Sequence, residues 1–309
     1  MKNNENNPKK IEKLLQLEEN ANNEGKMTLD YKNRIGAAIK LLVEKGDVYF
    51  REELDKLSPK MKTILENVNK SSGLVFIYSN FRTLEGVELF SKVLDFNGYS
   101  KFNPKEANKK GSGPKYAIYS GTEDEEEKRQ ILRVFTSNDN KYGDKIKIIM
   151  VTSAGAEGLD LKIIRQIHIM EPYWNQMRTE QVIGRGVRRN SHAALKPEER
   201  NVEIYKYFSV FSPKNALMAT EKLSTDEYIH QISLKKQSII NEVIEILKEC
   251  AFDCALNSPD IKGDYKCMTF GSNATGFSYL PSLSQDFVKS RTKDEKKVEK
   301  VNLTKGVYF

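Results

Sequence analysis

The stretch "LVFIYSNF", Leu74 to Phe81, constrains the fold more than any other part of the chain. It has strand length, and its first five residues are apolar without a break. A strand with one wet face alternates apolar and polar residues, so an unbroken run reads as a strand buried on both faces, the mark of a parallel sheet covered by helices. The flanks agree. Before it, "SPKMKTILENVNKSSG" places Met61, Ile64, Leu65 and Val68 on one side of a helix closed by Ser-Ser-Gly. After it, "RTLEGVELFSKVLDFNGY" carries Leu84, Val87, Phe90 and Leu94 at helical spacing.

This alternation then repeats. Strands are predicted at Tyr116–Tyr119, Ile146–Val151, Gln166–Met170 and Val202–Phe208. Between them, "SGTEDEEEKRQILRVF" opens a helix with Thr122 and Glu125 placed as a capping box, and Asn175 caps a helix running toward "QVIGRGVRR". Strands alternating with helices predict an α/β fold with a parallel sheet and helices on both faces. Beyond it, Ser224 and Glu227 form a second capping box, and Ile232, Ile239, Val243, Ile246, Leu247 and Cys250 make one stripe of a long helix that should pack on something. The expected organisation is a polar, partly helical leader over 1–54, the α/β domain over 55–222, a helical extension over 223–257, and an irregular, partly disordered tail over 258–309.

Composition narrows the setting. No apolar run approaches the ~20 residues a membrane-spanning helix needs, and "MKNNENNPKKIEKLL" lacks the apolar core of a secretory signal. A cytoplasmic protein with no membrane partner is expected. Cys250, Cys254 and Cys267 cannot form an even disulfide framework and have no CxxC spacing, so they read as buried or reduced thiols, with no metal site. The net charge of +7 favours an anionic partner such as nucleic acid or nucleotide, although a lysine- and asparagine-rich composition produces the same sign.

Two segments have chemistry in reach. "VTSAGAEGLDL", Val151 to Leu161, follows a strand, where open α/β sheets bind ligands. Its small residues let backbone amides approach a ligand, Thr152 can donate a hydroxyl to a phosphate, and Asp160 can accept from a ribose. A tight strand–helix connection needs the same small residues. In "QVIGRGVRR", Gln181, Arg185 and Arg188 share one face if the helix continues, so two guanidinium groups would converge on a transferring phosphoryl group. A solvated basic helix end, favoured by the helix dipole, has the same composition. Trp174 and His168 read as packed core residues, and "EDEEE" as the first turn of a helix.

Taken in order, "GLVFIYSNF", "SGTEDEEEKRQILRVF", "VTSAGAEGLDL" and "QVIGRGVRR" resemble motif IV, the next conserved block, and motifs V and VI of the second RecA-like lobe of superfamily 2 helicases. "MEPYWNQMRTEQVIGRGVRR" gives the resemblance a Snf2-like character. Over roughly residues 55–255 the chain is similar to the helicases of nucleocytoplasmic large DNA viruses, the group of the poxvirus early transcription factor small subunit and nucleoside triphosphatase I. The resemblance implies a RecA-like helicase C-terminal lobe, a P-loop NTPase-like fold without the P-loop. It further implies Arg188 as arginine finger, Arg185 beside it on the γ-phosphate, and Gln181 coupling ATP to nucleic acid. Gly158 and Asp160 would border the nucleotide, while Asn80, Thr152 and Ser153 would touch the nucleic-acid backbone. The cofactor would be ATP with Mg²⁺. DNA or RNA, an N-terminal RecA-like lobe and a viral RNA polymerase would be the partners, in a viral factory or a virion.

The sequence contains no GxxxxGK(S/T) loop and no DExx strand end; "GSGPKY" has neither the spacing nor the hydroxyl. The chain is therefore expected to lack the phosphate loop and Mg²⁺ ligands of such an ATPase, and to be inactive alone. It is either the C-terminal half of an ATP-dependent helicase or translocase, or a non-catalytic module binding nucleic acid or a transcription complex.

Overall fold

The computed structural model describes residues 29–84, 86–104, 113–121, 123–155, 158–212, 223–251 and 254. The described residues fall into two units, one running to Glu171 and resuming over Val182–Phe208, the other comprising Pro172–Gln181 and the part from Ser209. The tail expected beyond 258 lies outside the described residues.

The first unit is a single parallel sheet. Its strands are β1 (Leu74–Ser79), β2 (Ser100–Lys101), β3 (Lys115–Tyr119), β4 (Ile148–Thr152), β5 (Ile164–Ile169) and β6 (Glu203–Lys206), in the spatial order β2-β3-β4-β1-β5-β6. Every neighbouring pair is parallel. All six residues of β1 are buried, as its unbroken apolar run requires. Strand β2 has two exposed residues and no apolar run, so only its pairing with β3 reveals it.

Helices cover both faces. On one, α3 (Pro59–Lys70) and α4 (Val87–Phe96), preceded by α1 (Leu29–Glu44) and the short α2 (Leu54–Leu57), contribute Leu54, Met61, Ile64, Leu65, Val68, Phe90 and Leu94 against Val75, Ile77, Ile148 and Met150. On the other, α5 (Glu125–Phe135) brings Ile131 and Phe135 against Phe76, Ile149, Val151 and Ile167. The alternation of β1 side chains between these two clusters is the pleat itself.

Ser58 caps α3, its Oγ accepting from Met61 N at 3.4 Å with Pro59 in the first turn. The capping box expected from Thr122 and Glu125 involves Thr122, which lies outside the described residues; the N-cap of α5 is Asp124, with no side-chain capping bond. Glu123 closes the preceding turn instead, accepting from both the N–H and the Oγ of Ser120 at 2.6 Å. Acidic Glu125, Glu126 and Glu127 still occupy the first turn, where the dipole favours them.

His168 is fully buried and sits in a polar line along β5 and β6. Its ring stacks on Tyr205 and Tyr207 at 4.9 and 5.8 Å. Its Nε2–H donates to Gln166 Oε1 at 3.2 Å, and its Nδ1 accepts from Tyr207 OH at 2.8 Å. Asn67 of α3 donates to that same hydroxyl at 3.0 Å, while Gln166 and Tyr205 both donate to Glu203. Burial pushes the imidazole pKa down to about 3, so it stays neutral, and burial likewise raises the Tyr205 hydroxyl to about 12.

In the second unit, α7 (Thr225–Cys250) opens with the expected capping box: Ser224 Oγ accepts from Glu227 N at 3.2 Å, and Glu227 accepts from Ser224 N at 2.8 Å. Its apolar stripe was expected to be packed but is exposed, with Ile239, Val243, Ile246 and Leu247 each more than half accessible. Cys254 is disulfide-bonded, which corrects the reading of the cysteines as reduced thiols. No described helix is long and apolar enough to cross a membrane.

Candidate ATP and nucleic-acid site

Strands β4, β1 and β5 lie side by side, and their carboxyl ends bring three connections to one edge of the sheet. The register pairs Ser79 with Thr152 and Tyr78 with Ile169, so the turn after β1, the loop after β4 and the exit of β5 are neighbours. The strand order reverses here, between strands added on either side of β1, and such a crevice is where open α/β sheets bind ligands.

The turn after β1 carries Asn80. Its Oδ1 accepts from Tyr78 OH at 2.9 Å, which leaves the amide Nδ2 as the group able to donate outward. Among the described residues that amide has no hydrogen-bonded partner. Two positions on, Arg82 is exposed and makes no ion pair among the described residues. Sequence reasoning passed over Arg82, since an arginine opening an amphipathic helix has no signal of its own.

The loop after β4 combines buried and open positions. Thr152 is 5% exposed, Ser153 half-buried and Ala154 exposed. Gly155 is required by a close approach: a Cβ there would lie 2.3 Å from the carbonyl oxygen of Tyr119. Gly158 is required by conformation, with φ +76°, in the left-handed region that L side chains avoid. Asp160 is exposed.

The arginine segment differs from its sequence reading. Helix α6 (Gln176–Gly186) begins after Asn175, whose Oδ1 accepts from Met177 N at 2.9 Å, and it stops at Gly186. Gln181 is exposed on this helix and Arg185 lies in its last turn, but Arg188 is past its end. The expected single helical face for Gln181, Arg185 and Arg188 is therefore corrected. Gly184 and Gly186 give weak helical support, and Asn190, at φ +62°, turns the chain away.

Arg188 instead folds back. Its Nε donates to Gly184 O at 3.2 Å, and its Nη1 pairs with Asp160 Oδ1 at 3.1 Å. The first contact places a cation on the helix carbonyl end, where the dipole favours it. The second joins the two segments expected to meet the nucleotide, Asp160 at its ribose and Arg188 at its γ-phosphate. Backbone bonds run parallel to it, from Leu161 N to Arg185 O and from Ile163 N to Ser191 O, both 3.1 Å. The latter holds Ile163 at φ +63°, a costly conformation for a β-branched residue. His192 completes the join by donating from Nε2 to Ile164 O at 2.6 Å, with its pKa lowered chiefly by burial.

Chemically, this join beside the start of β5 presents two guanidinium groups, half-buried Arg185 and exposed Arg188, next to a carboxylate on a glycine-bearing loop. Such a set suits a polyphosphate, to which Arg188 could transfer from Asp160. Among the described residues no group of three or more His, Cys, Asp or Glu side chains could hold a metal ion. Sequence reasoning also missed Glu171, a buried carboxylate at the exit of β5 that binds Ser79 and Asn80. Its place beside "PYWN" marked it only as part of a pattern.

The model of the helicase conserved C-terminal domain matches residues 59–190. A putative ATP-dependent RNA helicase of Acanthamoeba polyphaga mimivirus is 36% identical over 238 residues, covering 76% of this chain and 28% of that protein. A second mimivirus protein of the same description is 37% identical over 205 residues, covering 66% and 34%. The termination factor NPH-I homolog of African swine fever virus is 31% identical over 276 residues, covering 76% and 39%. The chain thus spans less than two fifths of the length of these relatives. Among solved structures, the C-terminal part of the Fun30 ATPase domain aligns at a TM-score of 0.34 and 16% identity, over 62% of this chain and 54% of that one.

Proposed function

Because residues 59–190 belong to the helicase conserved C-terminal domain family and the relatives are viral helicases, we propose that the chain is the second-lobe half of an ATP-dependent nucleic-acid helicase or translocase acting in viral transcription. The observation that supports this most is the join of Arg188 to Asp160 beside the start of β5, with Arg185 one turn away. A module that only bound nucleic acid would have no need of that pair of arginines.

In this reading Arg188 is the arginine finger, and Arg185 contacts the same γ-phosphate. Each opposes charge that grows as the phosphoryl group transfers, an effect on the order of 10³–10⁵ in rate. Gly158 lets the loop backbone pass close to the nucleotide, and Asp160 accepts from its ribose once Arg188 has moved to phosphate. Gln181 links the nucleotide to the nucleic acid. Asn80, Ser153 and, if the loop opens, Thr152 hold the DNA or RNA backbone, contacts that position a strand without reading its sequence. Bound Mg²⁺ supplies charge neutralisation between phosphates; its ligands and the phosphate loop belong to an N-terminal RecA-like lobe. A viral RNA polymerase is the further partner, and a cytoplasmic viral factory or the virion the place of action.

The test is reconstitution. This chain, mixed with the first lobe of a matching relative, should hydrolyse ATP in a manner stimulated by single-stranded nucleic acid, while neither part does so alone. Binding of nucleic acid without hydrolysis in the mixture would favour the non-catalytic module.

A further inference from the structure

Glu171 is 6% exposed, yet it carries a carboxylate into the carboxyl edge of the sheet. Its Oε1 and Oε2 accept from Ser79 Oγ at 2.9 and 3.2 Å, one hydroxyl hydrogen shared between them. Its Oε1 also accepts the backbone N–H of Asn80. Ser79 Oγ in turn accepts from Phe81 N at 3.1 Å. The turn after β1 therefore closes on a side chain of another strand, at the point where the β1–β5 pairing ends.

A buried carboxylate is a costly way to hold two strand ends together, because its desolvation must be offset by hydrogen bonds. The β1–β5 ladder already joins these strands through Tyr78 and Ile169, and Met170 N donates to Tyr78 O at 3.0 Å. What the carboxylate adds is a fixed orientation of the next residue. With its N–H taken by Glu171 and its Oδ1 by Tyr78 OH, Asn80 is held at both ends, and only its Nδ2 is left to face outward.

We infer that Glu171 is a positioning residue for nucleic-acid binding, setting the turn that presents Asn80 to a phosphate oxygen. The inference rests on the proposed nucleic-acid function and adds to it a residue that touches no ligand. Glu171→Gln keeps the shape but removes the carboxylate charge and turns Oε2 into a donor facing Ser79 Oγ, which weakens the clamp on the turn because charge-assisted bonds become neutral ones.

The test uses the full chain and a fluorescently labelled single-stranded DNA oligonucleotide at one fixed salt concentration. Dissociation constants are measured for the unmodified chain, Asn80→Ala, Glu171→Gln and the double variant, with a urea midpoint for each. A residue acting through Asn80 gives non-additive losses: each single variant weakens binding about tenfold, and the double variant about tenfold rather than a hundredfold. Losses that multiply, or binding unchanged in Glu171→Gln, overturn the inference while leaving the nucleic-acid reading in place. Failure of the unmodified chain to bind overturns that reading and the inference with it. Should Glu171→Gln fail to fold, Ser79→Ala removes the other side of the same clamp and is expected to show the same non-additivity with Asn80→Ala.

Discussion

The ion pair between Arg188 and Asp160 decides whether the arginine is stored for use or built into the scaffold. Its two side chains are 44% and 54% exposed at 3.1 Å. For an exposed pair of this kind the contribution to stability is about 0.2–1 kcal/mol. The bond from Arg188 Nε to Gly184 O, also exposed, adds about 0.5–1 kcal/mol. The backbone bond from Arg188 N to Ser191 Oγ survives truncation to alanine. Arg188→Ala should therefore destabilise the isolated chain by roughly 1–2 kcal/mol, and Asp160→Asn by no more than about 1 kcal/mol. Urea unfolding of both variants and their double mutant isolates the pair, whose coupling should fall toward zero in 1 M salt, where the screening length is about 3 Å. A coupling above about 3 kcal/mol that persists in high salt would show a structural ion pair, and the reasoning that Arg188 is free to move onto a phosphate would fail.

The remaining predictions concern stability. The folded pKa of His168, about 3, lies below its ordinary 6.5, so the unfolded chain binds the extra proton as the medium acidifies. Stability present above pH 6.5 is lost as pH falls through that window, at up to about 1.4 kcal/mol per pH unit. His192, lowered mainly by burial, acts in the same direction. Denaturant midpoints at pH 6.5 and 5.5 should show the slope, and His168→Gln should flatten most of it; an unchanged slope would refute the buried neutral assignment. Gly155→Ala must displace backbone at Tyr119 and should cost about 1–3 kcal/mol. Gly184→Ala, inside α6 with nothing beyond its own helix backbone within 4 Å of its new Cβ, should instead stabilise by about 0.5–1 kcal/mol, read by thermal unfolding.

The sheet was legible because β1 and β4 are buried on both sides and so write themselves as apolar runs, and because α3 and α7 carry their N-caps in the sequence. Strand β2 was not, since two exposed residues at an edge leave no hydrophobic signal. In the site, residue types and motif order located the loop with Gly158 and Asp160 and the segment with Arg185 and Arg188. Their geometry was misjudged: the arginine spacing matched a helix that in fact ends at Gly186, and what holds Arg188 beside Asp160 is the backbone pairing of Leu161 with Arg185 and of Ile163 with Ser191. Glu171 escaped notice for a related reason. Its partners Ser79 and Asn80 are some ninety positions away, and no local pattern encodes a hydrogen bond at that separation.

The central claim is that this lobe completes an ATP site from outside, with Arg188 as its catalytic contribution. The most direct measurement compares unmodified and Arg188→Ala chains, each combined with the first lobe, for ATP hydrolysis at saturating nucleic acid and for oligonucleotide affinity. The account predicts that hydrolysis falls by about 10³-fold or more while the affinity stays within a few-fold. Hydrolysis unchanged by Arg188→Ala would contradict it.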